Sequence, residues 1–273
     1  MEVRHATSPE QYTSFDTAAL RRHYLVESLF ATPGQVSLTY SHQDRIILGG
    51  VRPDGEPVPL PAPEQLRGEH FCDRRELGVV NVGGADGAVE VDGKRHDLGH
   101  RECLYVGRGA RDVVFQPGSA YYLISTPAHA EYPTVSAGLD QAEPMAVGGP
   151  EGSNQRTVYK YIHTGGIRSS QLVLGVTVLD EGSMWNTMPC HTHERRTEVY
   201  FYFDLPEDHR IVHLLGRPDE TRHVVVANEQ AVISPCWSVH SGFGTRNYAF
   251  VWAMGGENQA YDDMDVVAIP DLR

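Results

Sequence analysis

The chain has 273 residues, enough for one large domain or two small ones, and its 40% hydrophobic and 22% charged content is that of an ordinary globular protein. A formal net charge of -13 disfavours nucleic acid and anionic membrane surfaces as partners, although a locally basic pocket can still take a small anion. No apolar run approaches the ~20 residues needed to cross a bilayer, and the N-terminal MEVRHATSPEQYTSFD has no apolar export signal, so the expected location is cytoplasmic.

In chain order, Asp16–Phe30 is the best helix candidate. Asp16 can cap it, and Leu20, Tyr24, Leu25 and Phe30 recur at roughly helical spacing. Short β-rich runs follow: SLTYSH, RIILGGV, LGVVNVGG, AVEVDG, CLYVG, DVVFQ and AYYLIST, separated by turn residues as in a sandwich or barrel. Val91-Asp92-Gly93-Lys94 is a hairpin signal, because Asp-Gly suits two positive-φ positions. A Pro-, Gly- and Ala-rich stretch then reads as a linker, and a second β-rich series runs from VYKYIH to YAFVWAMGG. The expected class is all-β with one short N-terminal helix. The expected division is 1–130 as a first half, 131–155 as linker and 156–273 as a second half. The tail DDMDVVAIPDLR is expected to pack on the surface as an extended segment.

The two halves carry a faint internal repeat. Cys72-Asp73-Arg74-Arg75-Glu76 can be laid over His193–Glu198 with one gap, and Gly107–Asp112 over Pro235–His240. On that alignment Cys72 stands for His193 and Asp112 for His240, which predicts a first half without a metal. None of Cys72, Cys103, Cys190 and Cys236 forms a C-x-x-C pair, so free thiols are expected rather than a zinc ribbon.

The second half holds Cys190-His191-Thr192-His193-Glu194-Arg195-Arg196-Thr197-Glu198. Residues i and i+2 of a strand share a face, so His191 and His193 project together. A turn at Glu194–Thr197 lets Glu198 open the next strand toward the same point, and His240, after Pro235-Cys236-Trp237-Ser238-Val239, is the best fourth donor. Three imidazoles and one carboxylate suit zinc, iron, manganese, nickel or cobalt. Cys190 should face the other side of the strand as a packed thiol.

HxHx4E followed by P-x-W-x-x-H resembles the two cupin motifs. It departs from them at Leu205 and Trp237, near positions where glycines are usual. The runs SHQDRIILGG, RRELGVVNVGG, WNTMPCHTHERRTEVYFYF, NEQAVISPCWSVHSG and GENQAYDDMD resemble the 4-deoxy-L-threo-5-hexosulose-uronate ketol-isomerase family, from Val3 to the end of the chain. The resemblance implies a bicupin of two β-barrel halves, a homohexamer, and one Zn2+ in the C-terminal barrel on His191, His193, Glu198 and His240. It also implies an aldose–ketose isomerase that converts a 4-deoxy-5-keto-uronate to 3-deoxy-D-glycero-2,5-hexodiulosonate in pectin breakdown.

Such a reaction needs a base, an electrophile and a grip on the substrate carboxylate. Tyr202 and Lys160 are candidates for the proton-handling group, with Tyr200 and His163 behind them. Arg195, Arg196 and Trp185 are candidates for holding the keto-uronate. Asn186 and Thr187 can line the mouth, and Trp237 can shield the site from water. Two other classes fit the same donors: a metal-dependent oxygenase and a sugar-binding cupin without turnover.

Overall fold

The computed structural model describes all residues, Met1–Arg273. The chain is almost entirely β, with the helices Pro9–Tyr12 and Thr17–Tyr24 near its start. Neither they nor any other helix is long and apolar enough to cross a membrane. Asp16 caps the second helix by accepting from the amide of Ala19 at 2.7 Å. The expected helix to Phe30 stops early, because Leu25 turns extended (φ -97, ψ 123) and Leu25–Val26 pairs with Val232 and Ala231 as an edge strand.

Two compact units divide the chain, and they are interleaved rather than contiguous. The first comprises Met1–Arg4, Ser28–Glu143 and Lys160–Leu174; the second comprises His5–Glu27, Pro144–Tyr159 and Gly175–Arg273. The expected division into 1–130, 131–155 and 156–273 draws its boundaries along the chain, whereas these units are grouped by contact. The expected linker is not a bare connection either. Val135–Ala137 pairs with Cys103–Tyr105, and Met145–Val147 pairs with Arg156–Val158, so both edges of this Pro- and Gly-rich stretch satisfy their backbone groups in sheets.

Each unit is built on a seven-stranded and a four-stranded sheet. In the first unit the larger sheet runs Glu2–Arg4, Ser37–Ser41, Ile47–Val51, Tyr121–Pro127, Arg75–Asn81, Cys103–Val106, Val135–Ala137. The larger sheet of the second runs Met145–Val147, Arg156–Ile162, Val173–Leu179, Ala249–Gly256, Arg196–Phe203, Gln230–Ser234, Leu25–Val26. The smaller sheets run Val58–Pro59, Val113–Phe115, Gly87–Val91, Lys94–Leu98 and Trp185–Asn186, Val239–Gly244, Ile211–Arg217, Glu220–Val226. The central strands correspond in order, as expected of a duplicated cupin-type fold. In the first unit the Asp92-Gly93 hairpin forms as the sequence predicts, with φ of 50 and 78.

The register shifts the repeat by one residue. Arg75 opens its strand opposite Pro127 as Arg196 opens its own opposite Gly256, so Leu77, not Glu76, falls at the place of Glu198. A strand's side chains alternate, and a slip of one residue exchanges its faces. Leu77 joins an apolar interior with Cys72, Val79, Val89, Phe115 and Leu123. Glu76 faces the other way, where its carboxylate accepts from Tyr105, Thr126 and the amides of Ser170, Gln171 and Leu172. Asp112 is exposed.

In the second unit the strand Arg196–Phe203 (RTEVYFYF) is buried along its whole length, as expected of a β-branched and aromatic run between two neighbours. Glu198, Tyr200 and Tyr202 share one face of it. Gly175 on a neighbouring strand gives room for the indole of Trp252, whose Cζ2 would lie 2.1 Å from any Cβ placed there.

Candidate metal centre

Three strands and one turn bring four candidate donor side chains together. His191 lies on the short strand His191–Thr192, which pairs with Asp265–Val266, and His193 follows at the turn. The amide of Arg196 donates to the carbonyl of His193 at 3.0 Å, so the chain reverses and Glu198 comes back at the same level. His240 enters from Val239–Gly244, opposite Leu215. The four donor atoms lie within 4.8 Å of one another, and all but half-buried His191 are buried.

The distances are short enough for one ion to reach all four donors. The Nε2 atoms of His191 and His193 are 3.1 Å apart, and those of His191 and His240 are 3.0 Å apart. Glu198 Oε2 is 2.9 Å from His193 Nε2 and 2.8 Å from His240 Nε2. The edges of a tetrahedron with ~2.0 Å bonds measure roughly 3.3 Å, close to this spacing. Protonation supports the same conclusion. The main-chain carbonyl of Asp263 can only accept, so His193 Nδ1 carries the proton and its neutral ring presents a lone pair at Nε2. Two lone pairs, on His193 Nε2 and Glu198 Oε2, then face each other across 2.9 Å. A cation among the four donors removes that conflict, and the residues therefore fit a metal ion.

The electrostatics agree with a neutral His191 beside an ionised carboxylate. Burial, reinforced by His240, pushes His191 down to about 3. Burial pushes Glu198 up, but the neighbouring His240 and His193 outweigh it and hold the carboxyl well below its usual range. Cys190 is buried and outside the cluster.

The donors open onto a cavity of ≈ 340 Å³ whose walls include Arg156, Thr187, Tyr200, Trp252, Tyr261 and Met264. Arg156 is its one Arg or Lys, and Glu198 its one carboxylate. Arg156 Nη1 donates to the carbonyl of Asn154 at 2.7 Å, and no ion pair holds the guanidinium. Tyr200 Oη is 2.8 Å from Thr187 Oγ1, and burial and the charge of Glu198 push the phenol well above 10, so it stays a donor.

The other sequence candidates lie elsewhere. Tyr202 shares the strand face of Glu198 but sits deeper, with its hydroxyl 2.7 Å from His213 Nδ1, and it does not line the cavity. Lys160 has the parity of Arg156 and Val158, which do line it, but stands about 13 Å beyond Arg156 at the usual strand rise. His163 is buried and also outside the lining. Arg195 is committed to Asp263, with Nε 2.9 and 3.0 Å from the two carboxylate oxygens. Arg196 is buried behind His193, where Nη2 donates to the carbonyl of Asp263 at 3.2 Å. Trp185 packs on Phe243 with ring centroids 4.7 Å apart, and Trp237 packs on Tyr12 at 5.3 Å. Asn186 donates to Tyr248 Oη at 2.7 Å.

Sequence reasoning missed Arg156 and the tail. The C-terminal segment is largely exposed, as the sequence predicts, with Val266 68% and Ile269 55% exposed, yet it supplies Met264 and Val266 to the cavity, beside Tyr261, and the Asp263 carbonyl to His193. Strand parity with Val158 was the one available signal for Arg156; nothing local marked the tail.

Comparison with known proteins gives a consistent result. Residues 24–269 match the model of the KduI/IolB family. The 4-deoxy-L-threo-5-hexosulose-uronate ketol-isomerase of Kineococcus radiotolerans is 52% identical, with 100% of each chain covered. The protein of that name from Burkholderia cenocepacia is 53% identical, again with 100% of each chain covered. Among solved structures, an IolB-like protein from Salmonella typhimurium LT2 is similar with a TM-score of 0.69 at 16% identity, covering 87% of this chain and 94% of its own. At that identity the structural likeness speaks for the fold alone.

Proposed function

The chain belongs to the KduI/IolB family, and on that premise we propose that it is the ketol-isomerase acting on 4-deoxy-L-threo-5-hexosulose uronate, an enzyme of pectin and oligogalacturonate breakdown. The observation that carries the reading is full-length identity of about half to relatives of that name, in a chain whose donor cluster opens onto a cavity with one guanidinium.

His191, His193, Glu198 and His240 would hold the metal, and we assign it as Zn2+, although other divalent transition metals accept the same donors. When bound, it supplies Lewis-acid polarisation of the aldehyde and its neighbouring hydroxyl. The residues of the chain do the rest. Arg156 takes the substrate carboxylate at the end of the cavity away from the reacting carbons. That cation also reconciles an anionic substrate with a chain of net charge -13. Glu198 is the proton carrier. Its Oε2 faces the histidines, while Oε1 makes no hydrogen bond and is not sealed from the cavity. Oε1 removes the proton on the carbon next to the aldehyde and returns it to the former aldehyde carbon, through a cis-enediol. The hydroxyl pair Tyr200–Thr187 donates to the substrate oxygens as the remaining proton passes from one oxygen to the other. Trp252 and Met264 line the walls and exclude water.

The proposal extends to a homohexamer in the cytoplasm, on family resemblance. The deciding experiment follows turnover of the keto-uronate to its ketose by NMR, for the native protein and for His240→Ala. Native turnover with a folded, inactive and metal-poor variant supports the reading. A metal-loaded native protein without turnover overturns it.

A further inference from the structure

The first unit has a cavity of its own, of ≈ 470 Å³, within the usual range of small-molecule sites. Its walls include Tyr40, His42, His70, Phe71, Arg74 and Arg75. Arg75 is the unusual member, a guanidinium only 6% exposed. Its Nε donates to Ser125 Oγ at 3.0 Å, and Nη2 donates to the carbonyls of Arg45 and Ser125 at 2.6 and 2.9 Å. All three acceptors are neutral, and the hydrogen bonds run from Nε and Nη2, none from Nη1. A buried cation without a counter-ion is strongly disfavoured unless something pairs with it. Burial lowers the group only to about 10, so it is charged at neutral pH.

No carboxylate forms an ion pair with Arg75. Glu76 is saturated by its five donors on the opposite face of the strand. Asp73, the one carboxylate on the cavity wall, spends Oδ2 on the amides of Glu69 and His70 at 2.7 and 3.1 Å. The guanidinium lies 5.9 Å from the ring centre of Tyr40, which fixes it as a flat, oriented fork. Arg74 is exposed at the rim and adds a second positive charge. In the second unit the residue at the corresponding strand start, Arg196, is instead turned toward the Asp263 carbonyl and lies off the cavity. The first unit thus places a guanidinium on its cavity wall where its interior carries leucine in place of the metal-binding glutamate.

We propose that this cavity is a second, metal-independent binding site for a small organic carboxylate of the sugar-acid kind. Arg75 Nη1 and Arg74 take the carboxylate, and the rings of Tyr40 and Phe71 flank the carbon skeleton. The site stands apart from the isomerase reading, because none of its residues belongs to the metal centre.

The test is calorimetric titration of D-galacturonate, with D-galactose as the uncharged counterpart, into the intact native protein and the His240→Ala and Arg75→Met variants. Galacturonate binding that survives His240→Ala, weakens at least tenfold in Arg75→Met and is at least tenfold weaker for galactose is the expected result. A second readout does not depend on how Arg75→Met folds. In His240→Ala protein, galacturonate should shift the ring signals of His42 and His70 saturably in NMR spectra. No binding outside the metal centre, equal binding of galactose, or unmoved rings of His42 and His70 overturns the proposal.

Discussion

His193 donates from Nδ1 to the main-chain carbonyl of Asp263, seventy residues further along the chain, and that single bond fixes which nitrogen faces the other three donors. The residue that carries this carbonyl is held in turn through its side chain, to which Arg195 and Asn258 both donate. The hydrogen bonds from Arg195 and Asn258 hold the Asp263 carboxyl well below its usual range.

Asp263→Ala should leave the barrel folded, since the side chain lies near the surface of the unit, but free the segment that carries the carbonyl. Partners that orient a ligand typically contribute 10–100-fold in metal affinity, and a fall of about that size is expected. Competition for zinc with a chromophoric chelator reads it directly. Unchanged affinity would mean that the tail keeps its place without the Arg195 pair.

Glu198→Gln tests both roles given to the carboxylate. It keeps the volume but removes the charge among His193 and His240 and the proton carrier from the cavity. Activity should drop by about 10²–10⁴-fold even at metal concentrations that restore occupancy. Recovery of full activity on metal loading would leave proton transfer to another group.

Arg156→Met removes the one guanidinium of the cavity. A charge-assisted hydrogen bond contributes about 1.5–3 kcal/mol, so KM for the keto-uronate should rise by roughly 10–100-fold, with a smaller change in kcat. Steady-state kinetics at fixed zinc separates the two. An unchanged KM places the substrate carboxylate elsewhere.

Acid should destabilise the second unit through His213. Burial pushes this imidazole down to about 3, against about 6.5 in an unfolded chain. Its folded state therefore favours the neutral ring: there is no penalty above about pH 6.5, and stability falls as pH drops from there toward 3, by up to ~1.4 kcal/mol per pH unit. Urea midpoints at pH 7.5 and 5.5 should differ less in His213→Asn than in the native protein. Equal slopes would assign the acid sensitivity to other groups.

The meeting of His191, His193 and Glu198 was legible because its logic is local. Two residues apart on a strand share a face, so His191 and His193 were paired by parity, and a short turn returned Glu198 to the same level. The Asp92-Gly93 hairpin, the Asp16 cap and the all-β class were legible for the same reason: each depends on neighbours a few residues away. The tertiary structure decided which cation meets which anion. Arg195 and Arg196 stand next to the ligands in sequence, yet the tail captures both through Asp263, and the cavity is left to Arg156 from a strand some forty residues upstream. It also decided the one-residue register that puts Leu77 rather than Glu76 inside the first unit, and the interleaving of the two units. Strand alternation and turn chemistry are written in consecutive residues, whereas the pairing of distant charges is a competition settled only when the whole chain has chosen its partners.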